Sequence, residues 1–488
     1  MNKDIKSLKP EIVWKHFAGI CAIPHPSYHE EKIREYVVNF AKQHNLEYLV
    51  DEGNNVLVRK PATPGMEDRK GIVLQAHLDM VPQKNGDKVF DFEKDPIEAY
   101  VDGEWVTANG TTLGADNGIG AAAALAVLES KDLKHGPIEA LFTATEETGM
   151  DGAFGLRPGE LKGDIMLNLD SETEGELYVG CAGGLDANIK FNYKEDKTDY
   201  KDHKAIDLEV KGLRGGHSGM EIILQRGNAN KLLFRFIRLM WERYDIQLAH
   251  VDGGGLRNAI PREGVAKIYV PAKDVERFKA DVAEYEKMII AEFDGIEDSI
   301  SIKAVDSTKS THGVIDKETA QKLTKAVCGC PNGVVTMSVS MPGLVQTSTN
   351  LARVVSENGE IKLQALMRSS VNTEKDDLAG NLSSVFELAG AKVELSGGYD
   401  GWKPNMQSPI LKAMQEVYKK LYGKTPEIMA IHAGLECGII GGKYPNLDMI
   451  SFGPTIQYPH SPDEKVNIAS VGKFWDFMKA TLENAPKK

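Results

Sequence analysis

The sequence predicts an α/β protein in which a mostly parallel-sheet domain is interrupted by an inserted α+β domain. Apolar strand-like runs alternate with helical stretches between residues 71 and 180, and this texture returns near residue 399. Between these parts, from about residue 187, apolar and polar residues alternate instead. Because 488 residues are too many for a single hydrophobic core, we expect one domain from 1–186 and 398–488 and an inserted domain at 187–397.

The parallel sheet follows from three short apolar runs and the helix between them. "GIVLQAHL" predicts a buried strand, and the alanine- and leucine-rich second half of "GADNGIGAAAALAVLES" predicts a helix. "IEALFTAT" and "DIMLNLD" are two further strand-like runs bounded by turn residues. Strands that are buried on both faces and separated by helices are typical of parallel sheets.

The inserted domain shows the pattern of a half-exposed antiparallel sheet. "LDANIKFNYKEDKTDYKDHKAIDLEVKG" alternates apolar and polar residues. "DVERFKADVAEYEKMIIAEF" predicts an amphipathic helix, whose expected buried stripe is Val275, Phe278, Val282, Tyr285 and Met288. After it, "SPILKAMQEVYKKLYG", "EIMAIHAG", "LDMISFGP" and "ASVGKFWDFMKATLEN" predict two helices and two strands that complete the first domain.

Composition excludes several classes of partner. A formal net charge of -13 argues against binding to nucleic acid or to an anionic membrane. We see no signal peptide and no apolar stretch of about 20 residues that would span a bilayer. The five cysteines are few and scattered, which is typical of a reducing compartment. We therefore expect a cytoplasmic protein.

Acidic residues and histidines follow the predicted strands at the sheet edge where open α/β sheets bind ligands. They are His77, Asp79, Asp116, Glu146, Glu147, Asp170 and His460. So many carboxylates would repel one another unless cations neutralised them. Histidine and carboxylate ligands without cysteine suit zinc, manganese or cobalt, and two ions would need a bridging carboxylate.

Taken singly, each of these residues has a simpler explanation. His77 and Asp79 lie two apart on one strand face and could be a hydrogen-bonded pair at the sheet rim. Glu146 and Glu147 could be solvated, and Asp116 could cap a helix. Asp170 could also be a cap, and His460 an ordinary loop residue. The argument for a metal site is their coincidence on one edge.

Several motifs resemble those of the dinuclear-zinc peptidases that include carnosinases, peptidase T and the aminoacylases. These motifs are "HLDMVP", "GADNGIG", "TATEETGMDGA", "NLDSE", "GGHSG", "NAIPREG" and "YPHSPDE". One branch, the bacterial cytosolic aminoacyl-histidine (Xaa-His) dipeptidases, is similar in motif order and spacing from residue 12 to about 485. "FAGICAIPHPSYHEEKI", "GGHSGMEIILQRGNANKLL" and "GYDGWKPN" are the stretches that resemble this branch.

The resemblance implies a role for each residue at the sheet edge. The first ion would be bound by His77, Asp116 and Asp170. The second would be bound by Asp116, Glu147 and His460, so that Asp116 bridges the two. Asp79 would hydrogen-bond the far nitrogen of His77, and Glu146 would be the general base. The resemblance also implies a cis peptide bond after Asp116.

Further residues are implied to meet the substrate. His217 would contact the oxyanion, and Asn258 and Arg368 would meet the terminal carboxylate. A surface strand position is the alternative for Arg368. His432 and Glu436 would line the pocket for the amine end, although Glu436 could instead cap the following helix.

The implied function is metal-dependent hydrolysis of dipeptides, with a preference for Xaa-His substrates such as β-alanyl-histidine. The alternatives are an N-acyl amino acid deacylase on the same site and a catalytically inactive binding protein. Two divalent ions per subunit are expected, zinc first, with cobalt or manganese as the other candidates. The resemblance further implies a hinged lid domain and a homodimer formed through it, and leaves open whether His217 serves its own subunit or the partner.

Overall fold

The computed structural model of the protein describes residues 5–308 and 313–488. The chain divides into two compact units. The first unit comprises Met1–Gly180, Pro404–Ala430 and Leu435–Lys488, and the second comprises Cys181–Lys403 and Ile431–Gly434. The domain limits drawn from the sequence at 186 and 397 stay predictions.

The first stretch of the first unit contains five helices and eight strands among its described residues. The helices are α1 (Glu11–Cys21), α2 (Glu31–Gln43), α3 (Ala115–Glu129), α4 (Glu146–Gly149) and α5 (Asp151–Gly155). The strands are β1 (Glu47–Val50), β2 (Val56–Lys60), β3 (Ile72–His77), β4 (Ala99–Asp102), β5 (Trp105–Ala108), β6 (Ile138–Thr143), β7 (Ile165–Asn168) and β8 (Glu176–Cys181).

The second unit follows in the chain. Its helices are α6 (Ala229–Trp241), α7 (Val275–Glu292), α8 (Lys317–Gly329) and α9 (Asn372–Leu388). Its strands are β9 (Gly183–Asn192), β10 (Glu195–Asp196), β11 (His203–Lys211), β12 (Gln247–Gly254), β13 (Gly264–Pro271), β14 (Ser301–Asp306), β15 (Val314–Ile315), β16 (Gly333–Met337), β17 (Val345–Glu357), β18 (Glu360–Ser369) and β19 (Lys392–Tyr399).

The last stretch returns to the first unit. Its helices are α10 (Pro409–Tyr422), α11 (Glu436–Lys443) and α12 (Ile468–Glu483). Its strands are β20 (Glu427–Ile431), β21 (Asp448–Ser451), β22 (Ile456–Gln457) and β23 (Lys465–Asn467).

The main sheet of the first unit has eight strands in the order β1-β2-β6-β3-β7-β21-β8-β20. Its central strands β6, β3, β7 and β21 pair in parallel, which confirms the predicted parallel sheet. The strands β1, β2 and β8 add antiparallel pairings toward the two edges. Every residue of β3, β6 and β7 is buried, and this explains why these strands read as continuous apolar runs.

Helix α3 is buried almost all round and packs against α1 and β3. Its run of small residues permits this close packing. At Gly120, a Cβ atom would lie 2.5 Å from the carbonyl oxygen of Leu169, so only glycine fits there. The helix begins immediately before Asp116 and therefore holds that residue at the carboxyl edge of the sheet.

The second unit is built on a nine-stranded sheet in the order β14-β11-β13-β12-β17-β18-β9-β19, with β16 paired to β17. The pairings of this sheet are antiparallel, as the alternating pattern predicts. The predicted stripe on α7 is wrong at one position, because Met288 is 38% exposed and Ile289 is buried instead. Ile289 lies four residues after Tyr285 and therefore continues the stripe along the helix.

None of the helices within 5–308 and 313–488 has the length and apolar character needed to cross a membrane.

Candidate active site

Three neighbouring parallel strands end at one edge of the main sheet and deliver acidic and imidazole side chains there. His77 is the last residue of β3 and is 1% exposed. Glu146 and Glu147 follow β6, and Asp170 follows β7. Asp116 lies in the first turn of α3, and His460 lies in the loop between β22 and β23. The carboxyl ends of parallel strands meet at one edge, and these residues therefore share it.

Asp116 lies between the two imidazoles. Its Oδ1 is 3.1 Å from Nε2 of His77, and its Oδ2 is 3.2 Å from Nε2 of His460. His77 Nε2 also lies 3.4 Å from Asp170 Oδ1, and His460 Nε2 lies 2.9 Å from Glu147 Oε2. The residues thus form two groups of three that share Asp116, and the ligand atoms within each group lie within 4.8 Å of one another.

The donor atoms of these two groups suit divalent cations. Oε1 of Glu147 and Oδ1 of Asp170 are buried and have no hydrogen-bond partner among the described residues. Burial, together with the negative charges of Asp116 and Glu147, raises the pKa of Asp170 to about 7 despite the neighbouring His77. Buried carboxylate oxygens without donors are costly unless a cation meets them. The mixture of imidazole and carboxylate donors fits zinc, manganese or cobalt.

Asp79 contacts both the His77 ring and the backbone of the neighbouring residues Glu146 and Glu147. Its Oδ1 lies 3.3 Å from Nδ1 of His77, which also faces the Asp79 carbonyl oxygen at 3.0 Å. The same carboxylate accepts hydrogen bonds from the Ser27 hydroxyl at 2.7 Å and from the amides of Glu146 and Glu147 at 2.9 and 3.2 Å. Burial alone would raise the pKa of Asp79, but these hydrogen bonds and His77 lower it below its usual value.

Glu146 lies against this cluster with a strongly perturbed carboxyl group. Burial raises its pKa well above the usual value; His77 opposes this shift, and the charges of Asp170, Glu436 and Glu147 add to it. The preceding residue, Thr145, has a positive φ of 55° and sets the turn that presents the acidic pair. A carboxyl group with a raised pKa beside a metal site can accept and return a proton.

The peptide bond between Asp116 and Asn117 is cis, which confirms the expectation drawn from the resemblance.

In the second unit, the tautomer of His217 follows from its hydrogen bonds. Its Nδ1 accepts from the amides of Gly219 and Met220, both at 3.1 Å. Burial and the charge of Arg368 lower the pKa of His217. The neutral ring therefore has its proton on Nε2, which leaves that atom as a donor.

Arg368 and His432 are buried polar residues of the same unit. Arg368 is 6% exposed, so the surface alternative for it is wrong. Its Nη1 donates to the Tyr399 hydroxyl at 3.2 Å, and its Nε is buried without a hydrogen-bond partner among the described residues. Nε2 of His432 lies 2.7 Å from the Ser348 hydroxyl, and burial and Arg368 lower the pKa of His432 to about 3. Asn258 is exposed, and its carbonyl oxygen accepts from the amide of Ser218, next to His217.

Known proteins resemble this chain in both sequence and fold. The model of Peptidase family M20/M25/M40 matches residues 73–484. The chain belongs to this peptidase family. It is 47% identical over 487 residues to the cytosol non-specific dipeptidase of Escherichia coli, an alignment that covers 99% of this chain and 100% of that one.

Solved structures agree with this assignment. The aminoacylhistidine dipeptidase of Vibrio alginolyticus matches with a TM-score of 0.95 at 48% identity, covering 100% of this chain and 99% of that one. The aminopeptidase PepT of Bacillus cereus matches with a TM-score of 0.60 at 17% identity, covering 98% and 99% of the two chains. At that identity the second likeness concerns the fold alone.

Two further acidic residues of this peptidase differ from the prediction. Glu464 was not among the predicted positions, and Glu436 has a different environment from the one predicted. The carboxylate of Glu464 accepts hydrogen bonds from four consecutive amides at the start of α3. Glu436 does not cap α11, because Leu435 occupies the N-cap and no side chain caps that helix. Its carboxylate instead accepts from Gln75 Nε2 at 2.6 Å and from the Thr143 hydroxyl at 2.8 Å. Glu436 was a predicted position, whereas Glu464, although it lies in the "YPHSPDE" motif, has partners that no local pattern in the sequence indicates.

Proposed function

We propose that this family member is a two-metal dipeptidase that prefers Xaa-His substrates such as β-alanyl-histidine. The observation that carries the proposal is the position of Asp116, whose two carboxylate oxygens face His77 and His460 at 3.1 and 3.2 Å. Dipeptidase activity is supported by the name of one similar protein, a cytosol non-specific dipeptidase, and the Xaa-His preference by the name of another, an aminoacylhistidine dipeptidase. We further propose that it acts in the cytoplasm, as the name of the first suggests.

Two groups of residues would hold the ions. His77, Asp116 and Asp170 form the first group, and Asp116, Glu147 and His460 form the second. Zinc is the proposed metal, with cobalt or manganese as alternatives. When bound, a pair of such ions lowers the pKa of a water molecule and polarises the scissile carbonyl group.

Glu146 is the proposed general base. Its carboxylate takes one proton from the attacking water, whose oxygen forms the new bond to the carbonyl carbon. The same carboxyl group then returns the proton to the amine nitrogen as the carbon–nitrogen bond breaks. Asp79 supports this step because it accepts hydrogen bonds from the backbone amides of Glu146 and Glu147.

Five further residues are proposed to recognise the substrate. The Nε2 proton of His217 is available to stabilise the oxyanion, since Nδ1 already accepts two amide hydrogen bonds. Arg368 would pair with the terminal carboxylate together with Asn258, a role supported by its buried and unpartnered Nε. His432 and Glu436 are proposed to line the pocket at the amine end.

We propose a homodimer formed through the inserted domain, in which His217 serves either its own subunit or the active site of the partner. The test mixes two inactive variants, Glu146→Gln and His217→Ala, under conditions of proven subunit exchange. Recovered activity in the mixed dimer supports action in trans. No recovery means that each histidine serves its own subunit.

The test of the proposed function is a hydrolysis assay on chelator-treated protein to which zinc or manganese is returned. We expect metal-dependent release of histidine from β-alanyl-histidine. Cleavage of N-acetyl amino acids without cleavage of dipeptides would instead identify a deacylase. Absence of turnover on both substrates, with metal bound, would identify a binding protein.

A further inference from the structure

The carboxylate of Glu464 lies buried between the two loops that hold Asp116 and His460, and it is 2% exposed. Its Oε2 accepts hydrogen bonds from the amides of Leu113 and Gly114 at 2.7 and 2.9 Å. Its Oε1 accepts from the amides of Ala115 and Asp116 at 2.8 and 3.2 Å. One side chain from the His460 loop therefore fixes the backbone of the Asp116 loop at four consecutive residues.

The backbone of Glu464 is fixed in turn by its neighbours. The strand β23 begins at the next residue and pairs with β5. The Thr107 hydroxyl, on β5, donates to the carbonyl oxygen of Glu464 at 2.8 Å, and the Glu464 amide donates to the carbonyl oxygen of Ser461 at 3.0 Å. Glu464 thus joins the Asp116 loop to a strand with a defined position.

His460 needs such an anchor more than the other proposed metal ligands do. Its side chain is 52% exposed, whereas that of His77 is 1% exposed on a buried strand. Packing therefore determines the position of His77, whereas the half-exposed side chain of His460 has less packing to fix its position. Glu464 is a buried residue at the end of this loop, and its hydrogen bonds connect the loop to the residues before Asp116.

We propose that Glu464 is a positioning residue that sets the spacing between Asp116 and His460. It would thereby affect the affinity for the ion held by the second group (Asp116, Glu147 and His460). Its effect on the ion held by the first group (His77, Asp116 and Asp170) would be smaller. Two of the three ligands in the second group depend on Glu464, but only Asp116 does in the first. This inference rests on the proposed two-metal site.

A purely structural role would be stabilisation of the start of α3. A buried carboxylate of the main sheet serves as the matched control. Glu139 is also buried, and it accepts from the amides of Lys162 and Gly163 at 2.7 and 2.8 Å. It is the second residue of β6 and therefore lies at the amino end of that strand, at the edge of the sheet opposite to the metal groups. Loss of either carboxylate removes buried hydrogen bonds to backbone amides, but only Glu464 lies between metal-ligand loops.

The experiment compares wild type, Glu464→Gln, Glu139→Gln and His460→Ala as chelator-stripped full-length proteins titrated with Co²⁺. Calorimetry gives the two affinities, the visible ligand-field absorption reports the coordination, and thermal melts report folding. Glutamine has nearly the same shape as glutamate, but its side-chain NH2 group is a donor. This group cannot accept hydrogen bonds from the backbone amides that one carboxylate oxygen of Glu464 accepts. We expect Glu464→Gln to keep the first ion near wild-type affinity and to bind the second about 10–100-fold more weakly.

The controls separate positioning from general destabilisation. Glu139→Gln should lower the melting temperature and still bind two ions as wild type does. His460→Ala should also lose the second ion, but saturating Co²⁺ should restore turnover only in Glu464→Gln, which retains every ligand. If Glu464→Gln does not fold, Glu464→Asp, which keeps the charge on a shorter side chain, should weaken the second ion in the same direction.

The proposal is overturned if the Glu464 variants bind both ions as wild type does, if both sites weaken equally, or if Glu139→Gln produces the same loss. A wild-type protein that binds fewer than two ions would overturn the proposed function instead, and this result is seen before any variant is compared.

Discussion

Buried carboxylates at the two edges of the main sheet differ in whether their oxygens have hydrogen-bond donors. At the amino-terminal edge, Glu139 is fully partnered: Arg59 Nε donates to it at 3.0 Å, and the amides of Lys162 and Gly163 donate at 2.7 and 2.8 Å. At the carboxyl edge, Asp170 and Glu147 each have a buried oxygen without a hydrogen-bond partner among the described residues.

The difference distinguishes carboxylates whose oxygens are satisfied within the fold from carboxylates that could bind a ligand. A buried carboxylate that has donors for its oxygens contributes to the fold without further partners. A group of carboxylates with bare oxygens would repel one another; burial first, and then this repulsion, raise the pKa values of Glu147 and Asp170. The carboxyl edge is therefore suited to cations, and the following predictions test this contrast.

The largest effect is expected for Asp116→Ala. Both proposed metal groups share this residue, so the variant should retain neither ion and should have almost no activity. Elemental analysis after desalting measures the metal content. Asp164 directly precedes β7 and lies at the opposite edge, so Asp164→Ala is the control and should retain both ions. Two ions in folded Asp116→Ala would show that the aspartate does not bridge.

Glu146→Gln should separate chemistry from metal binding. The amide cannot accept a proton, so we expect turnover to fall by about 10²–10⁴-fold while both ions stay bound. Steady-state kinetics and elemental analysis on the same sample check the two parts. Near-normal turnover with bound metal would remove Glu146 from the mechanism.

The metal-free protein should become less stable as the pH rises toward 8. Burial, with the neighbouring carboxylates, raises the pKa of Asp170 from 3.8 to about 7 and that of Glu172 from 4.5 to about 8. The folded state therefore binds these protons more tightly than the unfolded state does. The resulting stabilisation is complete below the usual carboxyl pKa values and is lost as the pH rises through 7 to 8.

Thermal melts between pH 5 and pH 9, with and without zinc, measure this effect. Because bound cations would replace the protons, the loss should be smaller in the zinc-loaded protein. Asp170→Asn should flatten the pH dependence of the metal-free form. If the melting temperature falls with pH equally in the metal-free and zinc-loaded proteins, the carboxylates at this edge are not neutralised by metal.

The smallest effect on metal binding is expected for Glu139→Gln. Glutamine cannot accept from Arg59 and both amides at once, so we expect the free energy of unfolding to fall by about 1–3 kcal/mol. Denaturant titration measures this change. Metal content and turnover should stay at wild-type values, and a loss of metal here would remove the contrast between the two edges.

The sequence predicts the centre of the main sheet because its strands are buried on both faces and must be apolar. It does not predict β1, whose residues are largely exposed and follow no such run. The error at Met288 has the same origin, since both positions 288 and 289 are apolar and only the packing distinguishes them.

The residues of the candidate site also fall into those that the sequence predicts and those that it does not. The residues at the carboxyl ends of strands could be found in the sequence, because parallel topology brings those ends together. Glu464 and the environment of Glu436 could not. Their partners are backbone amides or neutral side chains hundreds of positions away, such as Leu113 and Gln75, and no local pattern records such pairs.

The most direct test of the two-metal site is a zinc titration of chelator-stripped protein with turnover of β-alanyl-histidine followed in parallel. The account predicts two ions bound per chain, no turnover in the stripped protein, and recovery of turnover as the ions are returned. Full turnover in the presence of chelator, or saturation at fewer than two ions per chain, would contradict it.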